Sequence, residues 1–95
     1  MRVVKSTNRH KLHYQFPYFI EFSYHNPGIA EWHRYRRYFE SQHGPSSEWR
    51  MLEDRKLSTL CYNPRWREEH NKKANRLRIY VKEPKDITWA QLNLA

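Results

Sequence analysis

The sequence predicts one small α+β domain, because segments with strand periodicity and segments with helix periodicity alternate along a single short chain. Its 95 residues are too few for a second independent core. Four Trp, seven Tyr and four Phe compensate for a low aliphatic content, since each aromatic side chain can bury about 150–250 Å². We therefore expect an aromatic core in a domain over residues 16–95, preceded by a basic N-terminal arm over residues 1–15.

The first two predicted elements are a strand and a helix. Residues 18–24 alternate and are rich in aromatic and β-branched side chains, which favours a strand. The run Asn26-Pro27-Gly28 ends it, since proline removes a backbone donor and glycine tolerates positive φ. Over residues 29–43 the apolar spacing changes to three and four, which predicts a helix that ends before Gly44-Pro45. Its apolar stripe comprises Ile29, Trp32, Tyr35 and Phe39.

The middle of the chain has a less regular pattern. Residues 48–60 fit either a hairpin around residues 53–56 or a short capped helix, and we favour the hairpin. Asn63 followed by Pro64 combines a capping side chain with proline at the first helical position. A helix over residues 64–74 is therefore predicted.

The last two predicted elements are a strand and a short helix. Residues 76–82 alternate basic and apolar side chains, which is typical of a half-exposed strand. Its inward-facing residues are Leu77, Ile79 and Val81. A terminal helix over residues 86–92 begins with an Asp that can cap it, and buries Leu92 with Ile87 or Trp89. The order strand, helix, hairpin, helix, strand, short helix indicates a split βαβ or ferredoxin-like sheet with helices on one face.

Several residues of these elements also form a recognisable pattern. They are Trp32, Gly44, Trp49, the run Ile79-Tyr80-Val81-Lys82, Asp86, Trp89 and Leu92. With this pattern the chain resembles small ferredoxin-like accessory proteins of tailed bacteriophages, in which a helix ends at Gly and a final strand ending in Lys leads through Asp into a short aromatic helix. The resemblance covers about half the chain, and residues 61–75 stand as an insertion relative to it. It implies a compact binding module that acts inside an infected bacterium, and it transfers no functional residues.

Positive charge is the strongest functional signal in the sequence. Eighteen Lys and Arg against ten Asp and Glu give a net charge of +8, which favours an acidic partner. Basic residues interleaved with aromatic ones suit RNA or single-stranded DNA, because cations neutralise phosphates and aromatic rings stack on unpaired bases. The residues that we predict to contact nucleic acid are Arg34, Arg37, Tyr38, Arg65, Trp66, Lys72, Lys73, Arg76 and Arg78. The alternative is a solvated charged face with internal pairs such as Arg36 with Glu40.

Two features within residues 63–85 shape this prediction. Cations outnumber carboxylates there by five, and period two places Arg76, Arg78 and Lys82 on one strand face. Such a row could follow a phosphate backbone, or it could be ordinary solvent exposure. Trp66, at the start of a polar helix, is predicted to be an exposed stacking group.

A second hypothesis is a protein partner instead of a nucleic acid. A small phage-type protein could bind an acidic patch on a host protein and inhibit or redirect it. Complementary charge would speed the encounter, and a few aromatic side chains would supply the affinity.

The sequence predicts a binding protein and not an enzyme, with no cofactor and no metal site. It has only two glycines, no phosphate-binding loop and no nucleophile elbow. His10 and His13 could share a helix face, but a structural zinc site needs about four ligands and the other candidates are scattered. Cys61, the single cysteine, follows Leu60 and is predicted to be reduced and buried, which disfavours an activated thiol or a pair with His70. A basic ribonuclease remains an open alternative, since acid-base catalysis needs only two placed groups.

Composition also bears on location. A lone cysteine favours a reducing compartment, and no run approaches the roughly 18 apolar residues of a membrane span. The first residues lack the hydrophobic region of a secretory signal. We therefore expect a cytoplasmic protein, in the host cytoplasm if viral, with no membrane partner.

Overall fold

Six strands and two helices make up the described part of the chain, which in this computed structural model comprises residues 1–7, 9–10, 15–51 and 58–94. In chain order they are β1 (Arg2–Lys5), β2 (Tyr18–Phe22), α1 (Gly28–His43), β3 (Ser47–Met51), β4 (Ser58–Tyr62), β5 (Trp66–Asn71), β6 (Arg76–Val81) and α2 (Pro84–Leu94). The predicted small α+β fold class is confirmed.

The main sheet has four strands in the order β1-β2-β6-β5, and every neighbouring pair is antiparallel. The two strands with the clearest sequence pattern, β2 and β6, are its centre, where Ile20 pairs with Ile79. Residues 2–5, which lie inside the predicted arm, form an edge strand on β2. The ferredoxin-like plan is not confirmed, because the fourth strand comes from the N-terminal side of the chain and not after the last helix.

Both helices pack on the same face of the main sheet, as predicted. The sheet contributes Ile20, Phe22, Trp66, Leu77, Ile79 and Val81 to this core, α1 contributes Trp32, Tyr35 and Phe39, and α2 contributes Ile87 and Ala90. The predicted stripe of α1 and the inward residues of β6 are therefore confirmed. The prediction for α2 is wrong in part, because Trp89 and Leu92 are exposed and Ala90 takes the inward position beside Ile87.

The opposite face of the main sheet carries no helix of the described part of the chain, and we call it the open face. Cross-strand pairing places on it Arg2, Val4, Phe19, Glu21, Arg67, Glu69, Arg76, Arg78 and Tyr80. One half is apolar and buried, because Phe16 covers Phe19 and Tyr80 in a second small core. The other half consists of charged side chains.

The predicted helix over residues 64–74 is wrong, because this segment is β5 and a turn into β6. The Asn63 carboxamide oxygen does accept a backbone hydrogen bond, from Arg65 N at 2.8 Å. The same amide donates to the carbonyl of His43 at 2.7 Å, so it fixes the end of α1 instead of starting a helix. The turn closes through Asn71, whose side chain accepts from Ala74 N, and Asn75, which has a positive φ of 49°.

The predicted hairpin over residues 48–60 is confirmed by the antiparallel pairing of β3 with β4. Its predicted turn at residues 53–56 lies outside the described residues. The two strands form a separate sheet. At its base Asn63 N donates to the Ser46 carbonyl at 2.9 Å.

Candidate nucleic-acid interface

The nine predicted contact residues do not form one surface, because the main sheet separates them. Arg34 and Arg37 lie on the side of α1 opposite its buried stripe. Arg76 and Arg78 lie on the open face, on the other side of the sheet. The remaining five lie at the helix interface, at the ends of β5 or in the β5–β6 turn.

Four of the nine are exposed cations that have no acidic partner in the part of the chain that the structure describes. They are Arg34, Arg37, Lys72 and Lys73. Among the described side chains, no carboxylate lies within 4.0 Å of their charged groups. Arg37 is only tethered to its own helix, by a 3.3 Å bond from Nε to the His33 carbonyl. These four are available to an external anion.

Arg76 and Arg78, the two predicted contact residues on the open face, are engaged within the fold. Arg78 lies 3.0 Å from Glu21 and 3.2 Å from the Tyr80 hydroxyl, and its side chain is only 12% exposed. Partial burial of Glu21 alone would raise its pKa, but hydrogen bonds from Arg2 and Arg78 hold that pKa below the usual value. Arg76 lies 3.9 Å from Glu69. Two members of the predicted phosphate row, Arg76 and Arg78, are therefore paired with carboxylates of the open face.

Arg65 is also committed to an internal pair. One of its Nη atoms donates to both oxygens of the buried Asp86 at 3.0 Å. His43 lies 3.9 Å from the same carboxylate. Burial lowers the pKa of His43, and the charge of Arg65 lowers it further against the opposing effect of Asp86. This cluster links the end of α1, the start of β5 and the first turn of α2.

The two predicted stacking residues are not exposed rings. Trp66 is 1% exposed, stacks on Phe39 at a ring distance of 5.6 Å, and donates from Nε1 to the Gly44 carbonyl at 2.9 Å. The prediction of an exposed Trp66 is therefore wrong, since its strand faces the helices. Tyr38 is half-buried between the helices, where Asn93 donates to its hydroxyl at 3.4 Å.

Other aromatic rings of the described residues are exposed, and the sequence analysis did not predict them to bind nucleic acid. Trp49 is 70% exposed on β3, Trp89 is 59% exposed on α2, and Tyr62 is 54% exposed at the end of β4. Cys61, next to Tyr62, is half-buried and not fully buried as predicted.

One further cluster of side chains was missed, and we call it the Tyr62 cleft. It lies between the hairpin and the main sheet and is lined by Gln15, Tyr62, Asn63, Pro64, Arg67 and Lys82. The Arg67 guanidinium carbon lies 4.0 Å from the Tyr62 ring centroid and 5.5 Å from that of Phe16. Arg67 and Lys82 were counted in the basic segment, but the helix expected over residues 64–74 concealed that they face one cleft with Tyr62.

Neither a metal site nor a membrane span is found in the described part of the chain. No three side chains among its His, Cys, Asp and Glu residues come together in a way that could hold a metal ion, and His13 lies outside it. Neither helix there has the length and apolar character needed to cross a bilayer.

Comparisons with known proteins add no functional information to the geometry of these side chains. Searches against protein-family models, curated proteins and solved structures found no significant match to the chain.

Proposed function

We propose that this domain binds RNA or single-stranded DNA through exposed cations on α1 and on the β5–β6 turn. The observation that supports this is that Arg34, Arg37, Lys72 and Lys73 have no carboxylate within 4.0 Å among the described side chains, in a chain with a net charge of +8. An unpaired surface cation can release a counterion from a phosphate without first breaking an ion pair. Trp66, Arg65 and Arg78 are not part of this surface, because their side chains are engaged within the fold.

Salt dependence is the expected signature of this binding. For single strands, log K falls with log salt by about 0.7 for each neutralised phosphate. We expect replacement of all four cations by Gln to reduce that slope by up to about three and to weaken binding strongly at low salt. Fluorescence anisotropy with labelled 20-nucleotide RNA and DNA, measured across a salt series, gives both quantities.

The matched control keeps the charges and changes the side chains. The control variant should retain the salt slope of the original chain, because counterion release depends on charge and not on the type of basic side chain. It carries Arg34→Lys, Arg37→Lys, Lys72→Arg and Lys73→Arg. Absence of binding to either polymer at low salt, or an unchanged slope in the Gln variant, would contradict the proposal.

An acidic protein surface is the second candidate partner, and the exposure of Trp49 favours it. A Trp that is 70% exposed on a hairpin outside the main sheet is unusual for a side chain of its size. Trp is among the residues that dominate the energy of protein interfaces. The positive charge of the chain would complement an acidic partner.

Capture from a nuclease-treated bacterial lysate separates the two candidates. If the partner is a protein, one protein should remain bound in stoichiometric amount after digestion, and Trp49→Ser should weaken its capture by about 10-fold or more. Trp89→Ser, at the other exposed Trp, is the matched control. Loss of all bound material on digestion would exclude the protein partner.

We also propose that the fold is a ferredoxin-like plan whose fourth strand is supplied by the N-terminal segment. In support, β2 and β5 flank β6 and are linked through α1, which is the arrangement of a split βαβ unit. β1 then occupies the edge position that a strand after α2 would take.

A further inference from the structure

The Tyr62 cleft has the volume and the location of a ligand site. Its volume is about 430 Å³, within the range of about 300–1,000 Å³ that is usual for ligand pockets. Three strand ends meet there, because β4 ends at Tyr62, β5 begins beside Arg67, and Lys82 follows β6. A hydrogen bond of 3.0 Å from Lys82 N to the Arg65 carbonyl holds two of these ends together.

The lining of the cleft is cationic. It includes Arg67 and Lys82 and no carboxylate. No carboxylate of the described part of the chain lies within 4.0 Å of either charged group. Arg67 is moreover only half-exposed, and its buried Nε has no hydrogen-bond acceptor among the described residues. The buried Nε is out of reach of a ligand in the cleft, but an anion bound at the other guanidinium nitrogens would stabilise this partly desolvated cation.

The same arginine is already held in place. Its guanidinium contacts the rings of both Tyr62 and Phe16, and one Nη donates to Gln15 Oε1 at 3.3 Å. Little side-chain entropy is therefore lost when it binds a ligand. Tyr62 is 54% exposed despite this contact, so part of its ring stays open to a second planar group.

We propose that the Tyr62 cleft binds one nucleotide of a single strand, with its phosphate on Arg67 and Lys82 and its base against Tyr62. This inference rests on the proposed nucleic-acid function and names its specific subsite. An unpaired base can reach Tyr62, whereas the bases of a duplex are stacked inside the helix. The cleft thus selects single-stranded over double-stranded nucleic acid. The dispersed cations of α1 and the β5–β6 turn do not distinguish the two.

The first test uses binding of a U10 oligonucleotide to the variants Tyr62→Leu, Tyr62→Phe and Lys82→Gln. Tyr62→Leu should weaken binding by about 10- to 100-fold, as for the loss of one stacked base, with little change in the salt slope. Tyr62→Phe keeps the ring and should bind like the original chain. Lys82→Gln removes an exposed charge and should lower the slope by about 0.7. Thermal unfolding of each variant checks that the fold is retained.

The second test separates failure of the subsite from failure of the function. Uridine monophosphate, uridine and inorganic phosphate are titrated separately while the Arg67 Nε–H signal is followed by NMR. The dissociation constant obtained from that signal should be at least 10-fold lower for the nucleotide than for uridine or phosphate alone. Equal effects of nucleotide and phosphate, or U10 binding that is unchanged in Tyr62→Leu, would overturn the subsite and leave the proposed function standing. Absence of U10 binding by the original chain would overturn both.

Discussion

Replacing Trp66 by Ala should lower the free energy of unfolding by about 3–5 kcal/mol, the usual cost of removing a large buried aromatic side chain. The indole is 1% exposed and packs on Phe39 in the centre of the main core. The substitution also removes the shorter of two hydrogen bonds to the Gly44 carbonyl, which keeps only a 3.4 Å contact from the Asn63 side-chain amide. Urea denaturation followed by circular dichroism measures the change.

The control for this prediction is Trp49→Ala, at a ring that is 70% exposed. It should change the unfolding free energy by no more than about 0.5 kcal/mol. If Trp66→Ala is unfolded without denaturant, Trp66→Phe provides a smaller loss that can still be measured. Equal effects at the two positions would contradict the placement of Trp66 in the core.

Replacing Gly28 by Ala should destabilise the protein by about 1–3 kcal/mol, although the position is helical. Ordinary helix propensity predicts the opposite sign, a gain of up to about 1 kcal/mol. A Cβ at Gly28 would overlap the Ser23 carbonyl oxygen, so the backbone of the β2–α1 connection would have to move. Calorimetry of the variant decides between the two signs.

Ser41→Ala, on the exposed side of the same helix, is the matched control. It should change stability by at most about 0.5 kcal/mol, because no close approach is created there. A stabilised Gly28→Ala variant would show that the contact with Ser23 does not constrain the helix start.

Elements with a strong local period could be predicted from the sequence. α1 shows three aromatic residues at helical spacing, and these three are its buried residues apart from Gly28. β6 alternates Arg with aliphatic residues, and its aliphatic side chains face the helices. In both elements one face is almost entirely apolar, so the pattern follows directly from burial.

β5 could not be predicted in the same way, because its apolar face has a single large residue. Trp66 shares that face with Glu68 and His70, and the other side carries charged and polar groups. The strand exists because it pairs along its whole length with β6, across a turn at residues 72–75. Nearby helix-start signals at Asn63 and Pro64 were stronger locally than this pairing, and tertiary contacts overrode them.

The candidate site shows a similar limit. Counting charges over residues 63–85 correctly found an excess of cations, but not which of them are available. Arg78 pairs with Glu21 and Arg65 pairs with Asp86, and each partner is at least 21 positions away in the chain. Only the fold reveals that Arg67 and Lys82 lie beside Tyr62 with no carboxylate of the described residues within 4.0 Å.

The separate sheet formed by β3 and β4 has a consequence for how this domain can diversify. Because that hairpin closes at its base, between Ser46 and Asn63, and adds no strand to the main sheet, its length can change without shifting the register of any other strand. Trp49 pairs with Leu60 close to this base, so insertions and deletions beyond that pair would change the outer surface of the hairpin and leave Trp49 and the Tyr62 cleft at its fixed end. The outer end of the hairpin can thus vary in the partners that it contacts while the Tyr62 cleft keeps its chemistry.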